Sequence, residues 1–376
     1  MDRALQLLKD LIAVDSVNPT LVPGASGEAA IARTLADAMR AMGLTVELQH
    51  VTPDRPNVVG TLKGRAPGRS LMFCGHIDTV GVAGMPAPFD PIEKDGRIYG
   101  RGSQDMKSGV AAMIDATRVI AESGGLDAGE IVIACVVDEE HSSIGADALV
   151  TRWRADGAVV TEPTDLQVAV AHKGFEWVEI ETEGRAAHGS RPREGRDAIR
   201  LMGRVLTALD QLDRTLQART SHPLLGTASL HASLIEGGRE LSSYPDRCHL
   251  QMERRTIPGE APGSAAREVE DILARLRTAD PDFKAASRSM FARSPYEIAA
   301  SHELPALMMK AAGVASAIGM SFWTDAAVLG DAGIPSILYG PTGAGLHSIE
   351  EWVEARSVLA CRDALVALAR QFTVNR

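Results

Sequence analysis

Apolar runs that end on metal-ligand residue types recur through the first half of the chain, and this repetition restricts the folds open to it. Leu71 to Cys74 passes through Gly75 into His76, Ile77 and Asp78. Ile131 to Val137 (IVIACVV) passes into Asp138, Glu139 and Glu140, and Gly157 to Thr161 passes into Glu162 and Pro163. A run that is apolar throughout reads as a strand covered on both faces. Strands are also expected at Thr45 to Val51 and Asn57 to Leu62. Helical periodicity alternates with them: Ile31, Leu35, Met39 and Met42 share a face that stops at Gly43, and a further helix is expected from about Met106 to Ile120. This alternation predicts an α/β domain with a mainly parallel central sheet. Ligands in open sheets of this class gather beyond the carboxyl ends of the strands, so His76, Asp78, Glu139, Glu140 and Glu162 should arrive at one rim. Asp105, after the turn Gly100-Arg101-Gly102, sits at a helix start facing the same loops. A carboxylate there complements the helix dipole or bridges two cations.

From about Phe175 the pattern changes to strand (FEWVEIE), long helix (about Gly195 to Gln217), two strands (Ala228 to Ile235, Arg247 to Arg255) and helix (about Ala265 to Thr278). That order predicts an α+β sandwich of ferredoxin-like type. Residues 174–288 are therefore expected as an inserted domain, with 1–173 and 289–376 forming the domain it interrupts. In Arg247 to Arg255, Cys248, Leu250 and Met252 fall on one face, leaving Arg247, His249, Gln251, Glu253 and Arg255 on the other. After the insertion a strand, Ile334 to Tyr339, leads into a glycine-rich loop, Gly340 to Gly345, that presents His347. If the first sheet resumes there, His347 returns to the rim that carries the acids.

At 376 residues the chain is long enough for two domains with sizeable cores, and 45% hydrophobic content describes a globular protein. A net charge of -10 argues against nucleic acid as a partner. No stretch of 18 apolar residues occurs, so a membrane span is not expected. The amino-terminal helix carries Asp2, Lys9 and Asp10 and does not read as a signal peptide, so the expectation is a cytoplasmic protein. Cys74, Cys135, Cys248 and Cys361 lie far apart and read as buried thiols rather than zinc ligands.

Two histidines and several acids at one rim suit a pair of divalent ions, with a carboxylate such as Asp105 bridging them at about 3.5 to 4 Å. Zinc fits this donor set, and cobalt or manganese is also compatible with it. A water activated by the ions would be the nucleophile, and an unligated carboxylate beside it the general base. Only one of Glu139 and Glu140 need be a ligand, because neighbours in sequence point in different directions.

The segments GHIDTV, GRGSQDMKSG, VVDEEHSSIGA, VTEPT, AAHGSRPREGRDAI, ERRTIPGE and GPTGAGLHSIEEWV together resemble the dinuclear zinc deacylases and peptidases. That family includes acetylornithine deacetylase, succinyl-diaminopimelate desuccinylase, aminoacylase and glutamate carboxypeptidase, and the resemblance spans nearly the whole chain. It implies that His76 and Glu162 hold one zinc, Glu140 and His347 the other, and Asp105 both. Asp78 would orient His76, and Glu139 would be the general base. It further implies a homodimer formed through the inserted domain, with His188 reaching across it to polarise the scissile carbonyl. Arg255, in the match to R-x-x-P, would bind a substrate α-carboxylate. Many members have asparagine where this chain has Ser242, a departure that bears on substrate identity. The implied activity is hydrolysis of an N-acyl amino acid by an acetylornithine deacetylase-like or desuccinylase-like enzyme, with a dipeptidase or carboxypeptidase as the alternative. A non-enzymatic metal-dependent binding protein is disfavoured, because binding alone requires neither a base nor an electrophile.

Overall fold

The computed structural model describes residues 2–219 and 221–374, and the chain divides into two compact units. The first comprises residues 1–170, 298–319 and 324–376, the second 171–297 and 320–323. The expected boundary at 288 therefore falls too early. It cuts the strand Ala285–Arg293, which pairs antiparallel with Gly174–Glu183 and so belongs to the second unit.

In the first unit the central strands are parallel: Ala66–His76 lies between Ala128–Val136 and Gly157–Val160, and Ser336–Leu338 extends the sheet beyond Gly157–Val160. Antiparallel strands flank this centre, Thr45–Thr52 and Arg55–Lys63 on one side and Ala169–His172 on the other. The sheet is thus α/β with a parallel middle and antiparallel edges. Register places the acids: His76 pairs with Val136, and Cys74 with both Ala134 and Val160, so the loops after these three strands leave the sheet at the same level. Phe73, Cys74, Ile133, Ala134 and Val159 are fully buried, as the unbroken apolar runs require. The helix Lys107–Glu122 packs over this sheet, and Gly109 permits the approach because a Cβ there would stand 1.9 Å from the Thr161 carbonyl oxygen.

A small four-stranded sheet, in the order Gly343–Ala344, Trp352–Glu354, Arg97–Tyr99, Ile92–Lys94, joins the segment before Asp105 to the segments on either side of His347. The closing helix consequently starts at Ala355 and runs to Phe372.

The second unit is a four-stranded antiparallel sheet in the order Ser229–Gly237, Arg247–Thr256, Gly174–Glu183, Ala285–Arg293. The helices Ala198–Ala218 and Ser264–Ala279 cover one face, with Val178, Ile180, Cys248, Leu250 and Met252 packed beneath them. Arg254 lies on this covered face and is fully buried, its guanidinium held by Glu260 at 2.6 Å and Glu268 at 3.1 Å. Two acids are thus committed to one buried cation, the arrangement that makes a buried charge tolerable. Its neighbour Arg255 faces the opposite side, as strand alternation demands. Among the described residues no helix is long and apolar enough to cross a membrane, and all four cysteines are buried and unpaired with one another.

Candidate metal centre

Asp105 stands between the two histidines. Its Oδ1 lies 3.1 Å from His76 Nε2 and its Oδ2 3.4 Å from His347 Nε2. Glu162 Oε1 is 3.8 Å and Glu139 Oε2 4.0 Å from His76 Nε2, while Glu140 Oε2 is 3.0 Å from His347 Nε2. The fold therefore brings together residues separated by most of the chain, with one carboxylate facing both sides. Glu139 approaches His76 about as closely as Glu162 does, and a set of ligand atoms within 4.8 Å of one another includes His76, Glu139 and Glu162. Distance from His76 alone does not divide ligand from base; Glu140 is set apart by its contact with His347.

Electrostatics show what the cluster lacks. Burial pushes the Glu139 and Glu162 carboxyls well above the usual range, although the nearby His76 charge opposes this, and crowding by other acids adds to it. Glu140 is pushed up to about 7 by burial and by Asp105. His347 rises to about 10 through its contacts with Asp105 and Glu140. Burial disfavours charging His76, yet the carboxylates of Asp105 and Asp78 and the charges of Glu162 and Glu139 raise it. Among the described residues the basic partners of Glu139, Glu140 and Glu162 are histidines, and Glu140 Oε1 is buried without a hydrogen-bond partner. A set of carboxylate and imidazole donors with this excess of negative charge, buried except at the exposed His347, fits divalent cations.

Asp78 meets His76 Nδ1 with its backbone as well as its side chain. His76 Nδ1 donates to the backbone oxygen of Asp78 at 3.0 Å, whereas the Asp78 carboxylate stands 3.6 Å away. That carboxylate is occupied elsewhere, accepting the backbone N–H of Glu139 at 3.1 Å and of Glu140 at 3.2 Å. Either route fixes the imidazole tautomer with Nε2 turned toward Asp105.

Sequence reading missed two acids around the centre. Glu351 is buried and accepts from the backbone N–H of Gly102, Gln104 and Asp105 at 3.0, 2.8 and 3.1 Å. It also pairs with Arg101 at 2.7 Å, and Arg101 donates to the Ser348 carbonyl, so one ion pair ties the Asp105 turn to the segment after His347. Asp325, buried just before the helix Ala326–Asp331, adds negative charge to Glu139 and Glu162. Neither stands at the end of a long apolar strand, which was the available signal. Asp105 itself precedes the helix without capping it; Met106 occupies the cap position.

The remaining candidates lie in the second unit. His188 is exposed; its Nδ1 accepts from the Ser190 backbone N–H at 3.2 Å, which leaves the ring hydrogen on Nε2 as a donor. The Gly189 N–H donates to the Ser242 carbonyl at 2.7 Å, so the fold pins the His188 loop to the Ser242 loop. Arg255 is half-buried, with its Nε on Glu253 at 2.7 Å and its guanidinium over Phe175 at 5.5 Å.

Residues 72–371 match the sequence profile of peptidase family M20/M25/M40. The chain belongs to that family. As an M20 protein it is a metallohydrolase acting on amide bonds, of a family that binds metal at a dinuclear centre. It is 30% identical to the N-formyl-4-amino-5-aminomethyl-2-methylpyrimidine deformylase of Bacillus subtilis, over 95% of this chain and 92% of that one. It is 29% identical to the acetylornithine deacetylase of Proteus mirabilis, over 98% and 96%. In fold, this M20 chain resembles aminopeptidase PepT from Bacillus cereus with a TM-score of 0.80, at 20% identity and with 98% of each chain covered.

Proposed function

We propose that this M20 hydrolase cleaves the amide bond of an N-acylated amino acid, in the manner of an acetylornithine deacetylase. The observation that carries the reading is the Asp105 carboxylate placed between His76 and His347, with Glu139 4.0 Å from His76. His76 and Glu162 would hold one divalent ion, Glu140 and His347 a second, and Asp105 both. Zinc suits the donors best, with cobalt or manganese as substitutes. The ions supply Lewis acidity that makes a water nucleophilic at neutral pH. Glu139 takes the proton from the attacking water and passes it to the amine nitrogen as the C–N bond breaks. Asp78 holds the Glu139 backbone in place, and His188 donates to the carbonyl oxygen as negative charge develops there.

Two copies are proposed to associate through the second unit. Its edge strand Ser229–Gly237 exposes Leu234 and Ile235 at 66% and 56%, and an exposed apolar edge favours pairing with another chain. The proposed setting is the cytoplasm. Deformylation is a second reading, favoured by the 30% identity to the deformylase.

The test is a panel of N-acetyl, N-succinyl and N-formyl amino acids, the formylaminomethylpyrimidine and dipeptides, with zinc or cobalt supplied. Fastest turnover is expected on an N-acyl amino acid, with carboxylic acid and free amine released in equal amounts; turnover of dipeptides alone would contradict the reading. Arg255→Ala should lower kcat/KM on the carboxylate substrate by roughly 10- to 100-fold, the worth of a hydrogen bond to a charged group. Amidating the substrate carboxylate should cost the wild type a similar factor and the variant little more. Equal discrimination by both proteins would place carboxylate recognition elsewhere, with Ser242 the next residue to replace.

A further inference from the structure

Behind the acids runs a chain of buried polar side chains that leads from Glu28 and Arg55 through Asp138 and Asn18 to Asp78. Asn18 is fully buried, and its side-chain amide donates to Asp78 Oδ2 at 2.8 Å and to Asp138 Oδ1 at 3.1 Å. Asn18 Oδ1 accepts from the Thr20 backbone at 2.9 Å, which fixes the orientation of the amide. Asp138 is held further by Ser142 Oγ at 2.6 Å and by Arg55 Nη2 at 2.8 Å, and Arg55 is in turn gripped by both oxygens of Glu28. Asp138 adopts a left-handed backbone (φ 69°) immediately before Glu139, a conformation that a non-glycine residue keeps only where its surroundings hold it.

A primary amide carries two hydrogens on one nitrogen, so a single uncharged residue can satisfy two carboxylates at once. Without it, Asp78 and Asp138 would be two buried acids, each one donor short of the set it now has. Because Asp78 receives the backbone N–H groups of Glu139 and Glu140 and its carbonyl receives His76 Nδ1, the position of Asp78 sets the position of all three.

We propose that Asn18 is a positioning residue for amide hydrolysis: it clamps Asp78 to Asp138 and thereby holds the backbone of Glu139 and Glu140. This rests on the reading of Glu139 as base and Glu140 as ligand. A displacement of about 1 Å at reacting groups can cost about 100-fold in rate, so Asn18→Ala should lower kcat by roughly 10- to 100-fold and leave KM within about threefold. Asn18→Ser keeps one donor and should lose less, and it serves if the alanine variant does not fold. Added to Asp78→Ala, the Asn18→Ala change should cost little further, since residues acting through one another are non-additive.

Hydrogen exchange on the zinc-loaded protein gives a readout independent of turnover. The amides of Glu139 and Glu140 should exchange at least about tenfold faster in the variants, while those of 71–74 stay protected. Unchanged kcat in both variants would overturn the proposal, as would a uniform loss of protection across the first unit, which marks general destabilisation. Glu139→Gln measured alongside separates the two ideas. If that variant keeps wild-type turnover, the reading of the base falls and the clamp with it; if it is inactive while the Asn18 variants are fully active, only the clamp fails.

Discussion

Glu139→Gln is expected to reduce turnover by about 10²- to 10⁴-fold, the usual cost of losing a general base, while both metal ions remain bound. Glutamine preserves the shape of the side chain and its place beside His76 but cannot accept the proton. The division of roles follows from the neighbouring residue: Glu140 is the acid that meets His347, at 3.0 Å, and Asp105 reaches both histidines. Metal analysis of the purified variant checks it. A variant that retains one ion in place of two would mean that Glu139 is the ligand and Glu140 the base.

His188→Ala should reduce turnover by about 10²- to 10³-fold, the cost typical of an oxyanion donor, again with metal retained. His188 belongs to the second unit, whereas His76, Asp105, Glu140, Glu162 and His347 belong to the first. On the proposed homodimer the two sets come from different copies. Mixing inactive His188→Ala with inactive Glu139→Gln under conditions of subunit exchange should then restore activity. Random exchange makes half the dimers mixed, and each has one site that combines an intact base with an intact histidine, so about a quarter of wild-type activity is the ceiling. Absence of recovery, with exchange demonstrated by differently tagged copies, would confine catalysis to one chain.

The cluster around Asp105 was legible because its signal is local. An apolar run long enough to cross a sheet, followed at once by His or Glu, declares both the strand and the chemistry at its end, and the register of Ala66–His76 with its neighbours then aligns the loops. His347 was reached less directly, through a glycine-rich loop after a strand only three residues long, Ser336–Leu338. The supporting residues left no such trace. Asn18, Arg55, Glu28 and Glu351 are polar residues in or beside turns, and only tertiary structure shows that they are buried and on what they are spent. The Ala285–Arg293 strand escaped notice for a related reason. It is an edge strand with mostly exposed or half-buried positions, so its sequence carries little apolar alternation. Arg254 and Arg255 show the opposite case, adjacent like residues whose sequence context is the same but whose faces differ, one fully buried on two glutamates and the other half-buried over the Phe175 ring.

The cluster around Asp105 is expected to work only as a two-ion centre. The protein is stripped with a chelator, then titrated with zinc while bound metal and acetate released from N-acetylornithine are measured on the same samples. No turnover is expected in the stripped protein, and activity should rise and level off at two ions per chain, with His76→Ala and His347→Ala each failing to reach that stoichiometry. Full turnover by the stripped protein, or saturation of both variants at two ions, would contradict it.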